Sequence, residues 1–325
     1  MKICMKERIY ASPTKIAFLF PGQGSQFRGM GKDLYEHFEI AKELYHKADK
    51  ILNCPLSEIC FKGTEEDLKQ TKVTQPAIFI HSVVCYEILR NLGINSEGVA
   101  GHSLGEYSAL YSAGVFDFET GLKLVKSRGE AMEDASQKEN GIMAAIIGLG
   151  FEKVKEICDH LKDSGVINPA NFNSPEQLVI SGSEDVVRKA CEEAKACGAK
   201  LAKMLTVSGA FHSPLMKSAE TVMENVLKEA KFDEPKKIFV ANVTGTIVED
   251  TNLIKKYLKE QITSCVLWVD SIKTLINNGF KTFVEVGPGK VLAGLMKKID
   301  NNVLIYNTSD FETIKVLKDK IYSTE

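Results

Sequence analysis

The chain has 325 residues, 44% of them hydrophobic and 26% charged, which suits a soluble globular protein of about two domains with a sizeable core. Lysine and arginine number 41 against 43 acidic residues, and the resulting net charge of −2 gives no general pull toward nucleic acid or an anionic membrane. The eight cysteines form neither a Cys-x-x-Cys pair nor a zinc-type spacing with histidine, so reduced thiols of a cytoplasmic protein are expected, with no metal site.

Residues 1–13 carry Lys2, Lys6 and Arg8 but no apolar segment, and read as an extension rather than a secretory signal. No apolar run later in the chain approaches the length of a membrane span. Lys15-Ile-Ala-Phe-Leu-Phe20 is a buried-strand pattern stopped by Pro21-Gly22. Helical patterns follow at 31–49 and 75–92, then the short apolar run Val99-Ala100, then helices at 103–113 and 117–136. Strands alternating with helices predict an α/β unit with a parallel sheet.

The texture changes from Gly141 to Val207. Strands at 142–148, 166–172, 177–181 and 200–207 with helices at 151–163 and 184–197 give the order βαββαβ, the ferredoxin-like split motif. Alternation then resumes with a helix at 213–230, a strand at 237–241, helices at 252–262 and 269–278, a strand at 281–286, a helix at 290–298, a strand at 302–306 and a helix at 310–322. The expected organisation is an α/β domain made of residues 14–139 and 208–325, interrupted by a small domain at 140–207.

Gly101-His-Ser-Leu-Gly-Glu106 lies between the run Val99-Ala100 and a helical pattern. A serine at such a strand-to-helix turn has a strained backbone and an exposed hydroxyl, and the N–H of the next residue points to where an oxyanion would sit. The spacing alone also fits a glycine-flanked surface turn. Pro21-Gly-Gln-Gly-Ser-Gln26 follows the first strand, and Gly287-Pro-Gly-Lys290 follows a later one. Neither completes a dinucleotide or phosphate-loop fingerprint, and both read as turns at strand ends, where α/β sheets bind ligands. A serine nucleophile needs a base. Of the six histidines, His37, His46, His81 and His160 lie in helical patterns, and His102 adjoins the serine and should point away from its hydroxyl. His212, in a loop just after the small domain, is the candidate. No aspartate is assignable as a third member, a job that a backbone carbonyl can do.

Taken together, Phe20-Pro-Gly-Gln-Gly-Ser-Gln26, Gly101-His-Ser-Leu-Gly-Glu106, Gly209-Ala-Phe-His212, Gln261 with Trp268, and Val284-Glu-Val-Gly-Pro-Gly-Lys290 resemble the malonyl-CoA:acyl-carrier-protein transacylase family over about residues 14–310. The resemblance implies an α/β-hydrolase-like large domain carrying a ferredoxin-like small domain. It also implies a ping-pong transfer of malonyl from malonyl-CoA to acyl carrier protein for fatty acid synthesis, with no cofactor. Residue by residue, it implies Ser103 as nucleophile, His212 as base, and the N–H groups of Gln23 and Leu104 as oxyanion donors. It further implies Arg128 as the holder of the malonyl carboxylate, the carbonyl of Gln261 as orienter of the histidine, and Phe211 as a residue that accompanies malonyl preference. A planar guanidinium suits that role on physical grounds, because it takes a carboxylate through two parallel hydrogen bonds. Cys265 and Leu267 depart from the family's usual residues before the tryptophan and put local packing in question. Lys297 and Lys298 are candidate contacts for an acidic carrier, and a monomer is expected. The competing expectations are a trans-acting polyketide acyltransferase and a serine acyl hydrolase or thioesterase.

Overall fold

A computed structural model describes residues 15–322, so the extension assigned to residues 1–13 lies outside the described residues. Among the described residues, nine strands form two sheets: β1 (Ile16–Phe20), β2 (Gly98–Gly101), β3 (Gly141–Ile147), β4 (Ile167–Ser174), β5 (Gln177–Ser183), β6 (Leu201–Met204), β7 (Ile238–Val240), β8 (Thr282–Val286) and β9 (Leu304–Thr308). The first sheet has the order β7-β2-β1-β8-β9 and every pairing in it is parallel. The second is antiparallel with the order β4-β5-β3-β6, the ferredoxin-like arrangement. The expected α/β architecture with an inserted βαββαβ unit is the observed one.

Sequence texture explains each sheet. β1 and β8 are buried at almost every residue, the mark of parallel strands covered on both faces. The helix Thr71–Asn91 covers one face and is itself buried at most positions. In the second sheet, neighbours along β3 face opposite ways, as the period of two requires. Ala144 and Ile146 pack under the helices Phe151–Leu161 and Glu184–Ala196, whereas Met143 joins the main core on the other side.

The differences from the sequence reading are local. The helix expected over 31–49 is two helices, Lys32–His37 and Glu39–Leu52, broken where Phe38 takes an extended backbone. The helices Leu56–Lys62 and Glu65–Lys69 were not expected, although Thr64 and Asp67 form a capping box that announces the second. The helix expected from 75 begins at Thr71 and contains Pro76. The strand expected over 200–207 ends at Met204, which frees Leu205 and Val207 to line a cleft.

The register sets the site. Phe20 pairs with Gly101, so the loops after β1 and β2 leave the sheet side by side. The loops after β7 and β8 flank them. The Glu285 carboxylate on β8 accepts N–H bonds from Leu292 (3.0 Å) and Ala293 (2.8 Å), capping the helix Val291–Ile299 from inside the sheet. That cap aims Val291, Leu292 and Leu295 at the cleft.

Candidate active site

Ser103 sits at the carboxyl end of β2 with φ of 51°, in the left-handed region that costs a non-glycine residue. The strain is held by packing on both sides. A Cβ on Gly101 would lie 2.0 Å from the backbone of Gly105, and one on Gly105 would lie 2.0 Å from the carbonyl of Phe20. Only glycine lets strand, turn and helix approach this closely. The Ser103 N–H is already donated to Asn242 Oδ1 at 2.7 Å. The N–H groups of Leu104 and Gln23 donate to no other protein group among the described residues. Leu104 directly precedes the helix Gly105–Ser112, so the positive end of that helix adds to the field there.

The Ser103 hydroxyl lies 2.8 Å from His212 Nε2. The other ring nitrogen, Nδ1, lies 2.7 Å from the backbone carbonyl of Gln261. A carbonyl only accepts, so Nδ1 carries the hydrogen and Nε2 turns its lone pair to the serine. Burial, with Arg128 nearby, pushes the His212 pKa from its ordinary 6.5 down to about 3, against the pull of the Gln261 carbonyl. The ring is therefore neutral at physiological pH. His212 itself has φ of 59°, and its carbonyl accepts from Asn168 Nδ2 at 2.8 Å.

Arg128 comes from the helix Phe118–Lys138, whose start is fixed by Asp117 accepting from the Thr120 N–H at 2.8 Å. Its side chain is 1% exposed. Nη1 donates to Gln75 at 2.9 Å, while Nη2 donates to Gln261 Oε1 at 2.8 Å and to Ser103 Oγ at 3.1 Å. The ring of Tyr107 lies 5.7 Å away, and Nε has no partner. Burial lowers the guanidinium pKa and Tyr107 and Glu106 oppose the shift; the group stays charged because its ordinary value is so high. No carboxylate among the described residues forms an ion pair with it. A buried cation with an open donor beside a reactive hydroxyl is a receptor for an anion.

These groups face a cavity of about 210 Å³ between the two sheets. Gln23, Ser103, Arg128, His212 and Phe211 line it from the large domain, and Met143, Asn171, Asn173, Gln177 and Val179 from the small one. β4 ties the halves together. Asn168 holds His212, the backbones of Ala170 and Phe172 pair with Val266, and Asn173 lies 2.7 Å from His102 Nε2. His102 thus points away from the serine hydroxyl, with its ring edge against Trp268. The departures at Cys265 and Leu267 leave this segment intact: the Leu267 N–H bonds the Asn242 carbonyl at 2.9 Å and Trp268 is fully buried. Lys297 and Lys298 are exposed on the helix Val291–Ile299, and Lys298 Nζ donates to Gln177 at 2.8 Å. No three His, Cys, Asp or Glu side chains gather in a metal-binding group among the described residues.

The sequence reading brought Ser103, Leu104, Gln23, His212, Arg128, Gln261 and Phe211 forward; the fold places Ser103, Gln23, His212, Arg128 and Phe211 on one cleft, with Leu104 and Gln261 buried next to them. It missed Asn242, Asn168, Gln75 and the side chain of Gln261. Asn242 had one usable signal, its place in the loop just beyond a strand of the parallel sheet, two residues after Val240.

A serine strained at the end of a parallel strand, a neutral histidine on its hydroxyl and free N–H donors beside it define the class: enzymes of acyl transfer on an α/β scaffold. Residues 17–314 match the family profile described as an acyl transferase domain. The chain is 44% identical over 304 residues to the malonyl CoA-acyl carrier protein transacylase of Bacillus subtilis (strain 168), covering 93% of this chain and 96% of that one. It is 40% identical to the Staphylococcus aureus (strain MSSA476) protein of the same name, covering 93% and 98%. Among solved structures, the malonyl CoA-acyl carrier protein transacylase of Coxiella burnetii superposes with a TM-score of 0.92 at 38% identity, covering 96% of this chain and 99% of that one. A malonyl-transacylase in complex with a type II PKS acyl-carrier protein superposes with a TM-score of 0.91 at 36% identity, covering 94% and 100%. The chain belongs to the malonyl CoA-acyl carrier protein transacylase family and is an acyltransferase.

Proposed function

We propose that the chain carries malonyl from malonyl-CoA to the phosphopantetheine thiol of acyl carrier protein in two half-reactions, supplying fatty acid synthesis. In the first, His212 Nε2 takes the Ser103 proton as the hydroxyl oxygen attacks the thioester carbonyl. The tetrahedral oxyanion forms against the N–H groups of Gln23 and Leu104, each contributing about 2.7–4 kcal/mol to the transition state. The C–S bond then breaks, and the CoA sulfur leaves with the proton held by His212. In the second half, His212 removes the proton of the carrier thiol, whose sulfur attacks the malonyl-serine ester. The ester C–O bond breaks and Ser103 recovers its proton.

The observation that carries the assignment is Arg128, a buried cation within 3.1 Å of the Ser103 hydroxyl and without a carboxylate of its own. It supplies the charge that the free carboxylate of malonyl needs. A hydrolase that clears acetyl or longer chains has no use for such a charge. Phe211, 6% exposed, walls the cavity beside His212, and its bulk there is the proposed basis for preferring malonyl over a methyl-branched acyl group. Lys297 and Lys298, exposed beside the cleft, are proposed contacts for the acidic carrier. We place the enzyme in the cytoplasm as a monomer that needs no cofactor and binds neither nucleic acid nor membrane. In support, all the described cysteines are free, the net charge is −2, and among the described residues no helix is long and apolar enough to cross a membrane.

The test is intact-mass spectrometry after incubation with malonyl-, methylmalonyl- and acetyl-CoA, with and without carrier protein. The expected result is one malonyl adduct that moves to the carrier. Release as free malonate at the same rate with and without carrier would make the chain a hydrolase. Running the assay with fatty-acid and polyketide carriers tells which pathway it serves.

A further inference from the structure

Glu106 closes the elbow motif and takes no part in the chemistry above, yet it lies at the centre of the polar network under the site. It is 1% exposed. Its Oε1 accepts the backbone N–H of Asn242 at 2.8 Å. Its Oε2 accepts from Gln261 Nε2 in a very short hydrogen bond. Asn242 in turn holds the elbow at two points, accepting the Ser103 N–H at 2.7 Å and donating to the Gly101 carbonyl at 2.7 Å. Gln261 holds the other two functional groups. Its backbone carbonyl takes His212 Nδ1 at 2.7 Å, and its side-chain oxygen takes Arg128 Nη2 at 2.8 Å.

The direction of the Gln261 amide decides whether Arg128 is held or repelled. An amide offers hydrogens on one end and lone pairs on the other. The nitrogen end of Gln261 faces three acceptors: Glu106 Oε2, the Ser103 carbonyl at 2.9 Å and Asn242 Oδ1 at 3.3 Å. With acceptors there, the oxygen end must face Arg128. We propose that Glu106 is a positioning residue: its two acceptor oxygens fix the direction of the Gln261 amide, and so aim Arg128 at the acyl carboxylate, while anchoring the elbow through Asn242. Burial pushes the carboxyl up to about 8 against the pull of the Asn242 and Gln261 donors and Arg128, but each oxygen faces an N–H donor and neither faces an acceptor for a carboxyl proton, so the geometry is that of the carboxylate with two acceptor oxygens.

The proposal rests on the malonyl-transfer reading and is tested by Glu106→Gln, which has the same shape but carries a donor at one end. With its oxygen on the Asn242 N–H, its NH2 meets the NH2 of Gln261. Relief of that clash turns the Gln261 amide and sets its donors against Arg128. The assay measures serine acylation by malonyl-CoA and by acetyl-CoA, with folding checked by circular dichroism. The wild-type enzyme must first prefer malonyl; if it does not, the functional reading fails rather than this one. Given that preference, Glu106→Gln is expected to reduce the malonyl-to-acetyl ratio at least tenfold, mostly through a higher KM for malonyl-CoA. In a Gln261→Leu background the same change is expected to move the ratio less than twofold, since the amide through which it acts is gone. Glu106→Asp, which keeps two acceptor oxygens, is expected to retain the preference within a few fold, and it decides the matter if the glutamine variant does not fold. A folded Glu106→Gln enzyme with an unchanged ratio, or a folded Glu106→Asp enzyme that has lost the preference, overturns the proposal.

Discussion

On the proposed reading, replacing Arg128 by alanine removes the charge that, among the described residues lining the cleft, would distinguish malonyl from acetyl. The guanidinium has five N–H hydrogens, and the contacts to Gln75, Gln261 and Ser103 account for three of them. Nε is buried, but one Nη1 hydrogen remains, and the Nη2 hydrogen on the Ser103 hydroxyl lies where an acyl group on that serine would be bound, so two hydrogens serve a ligand. Two charge-assisted hydrogen bonds at about 1.5–3 kcal/mol each amount to roughly 3–6 kcal/mol. The cleft is open to water, which competes for the same donors, so the low end applies and selectivity should fall about 10²–10³-fold. The loss should fall on malonyl-CoA, whereas acetyl-CoA has no carboxylate to lose and should react at a rate much closer to that of the unaltered enzyme. The assay is single-turnover acylation of the serine by each thioester, which separates loading from carrier turnover. A variant whose malonyl-to-acetyl ratio stays within a few fold of wild type refutes the carboxylate role. Thermal unfolding must accompany it, because Gln75 and Gln261 both lose a partner.

His212→Ala should slow serine acylation by about two to four orders of magnitude, read by stopped-flow or quench with malonyl-CoA, and near-normal rates would move the base elsewhere. The ring's pKa, held down near 3, also fixes the sign of the pH response. The base is neutral and active above that value and silenced only below it, so the acylation rate should show no inflection at the ordinary histidine value near 6.5. A step there contradicts the buried, neutral histidine. Gly105→Ala places a methyl 2.0 Å from the Phe20 carbonyl and 2.8 Å from that of Pro21, both backbone atoms that cannot step aside. It should cost about 3 kcal/mol or more of stability and distort the elbow; chemical denaturation at wild-type stability would refute the close approach.

Much of this arrangement was legible in the sequence because it depends on local order. A glycine-flanked serine after an apolar run, a proline-glycine loop after the first strand and the change to βαββαβ texture are short-range signals. Parallel pairing of β1 with β2 then brings Gln23 beside Ser103 with no further information. What stayed hidden depends on long-range contact. Asn242 meets Ser103 across 139 positions, and Asn168 meets His212 across a domain seam. Asparagines in loops are common, so nothing at either position announces the role. The break falls at Phe38, whose ring packs against the main core, and the helix that reaches back to Thr71 starts at a buried residue, both features of long-range contact. Gln261 was half visible: the resemblance pointed to its carbonyl, while only the fold reveals that its side chain bridges Arg128 and Glu106.

The central claim is that Ser103 carries malonyl between two thiols. Peptide mapping by mass spectrometry after brief exposure to malonyl-CoA tests it most directly. One malonyl ester on the peptide containing Gly101-His-Ser-Leu-Gly105 is predicted, discharged on adding carrier protein and absent from Ser103→Ala. Malonylation that persists in Ser103→Ala, or an ester that carrier protein does not discharge, contradicts the account.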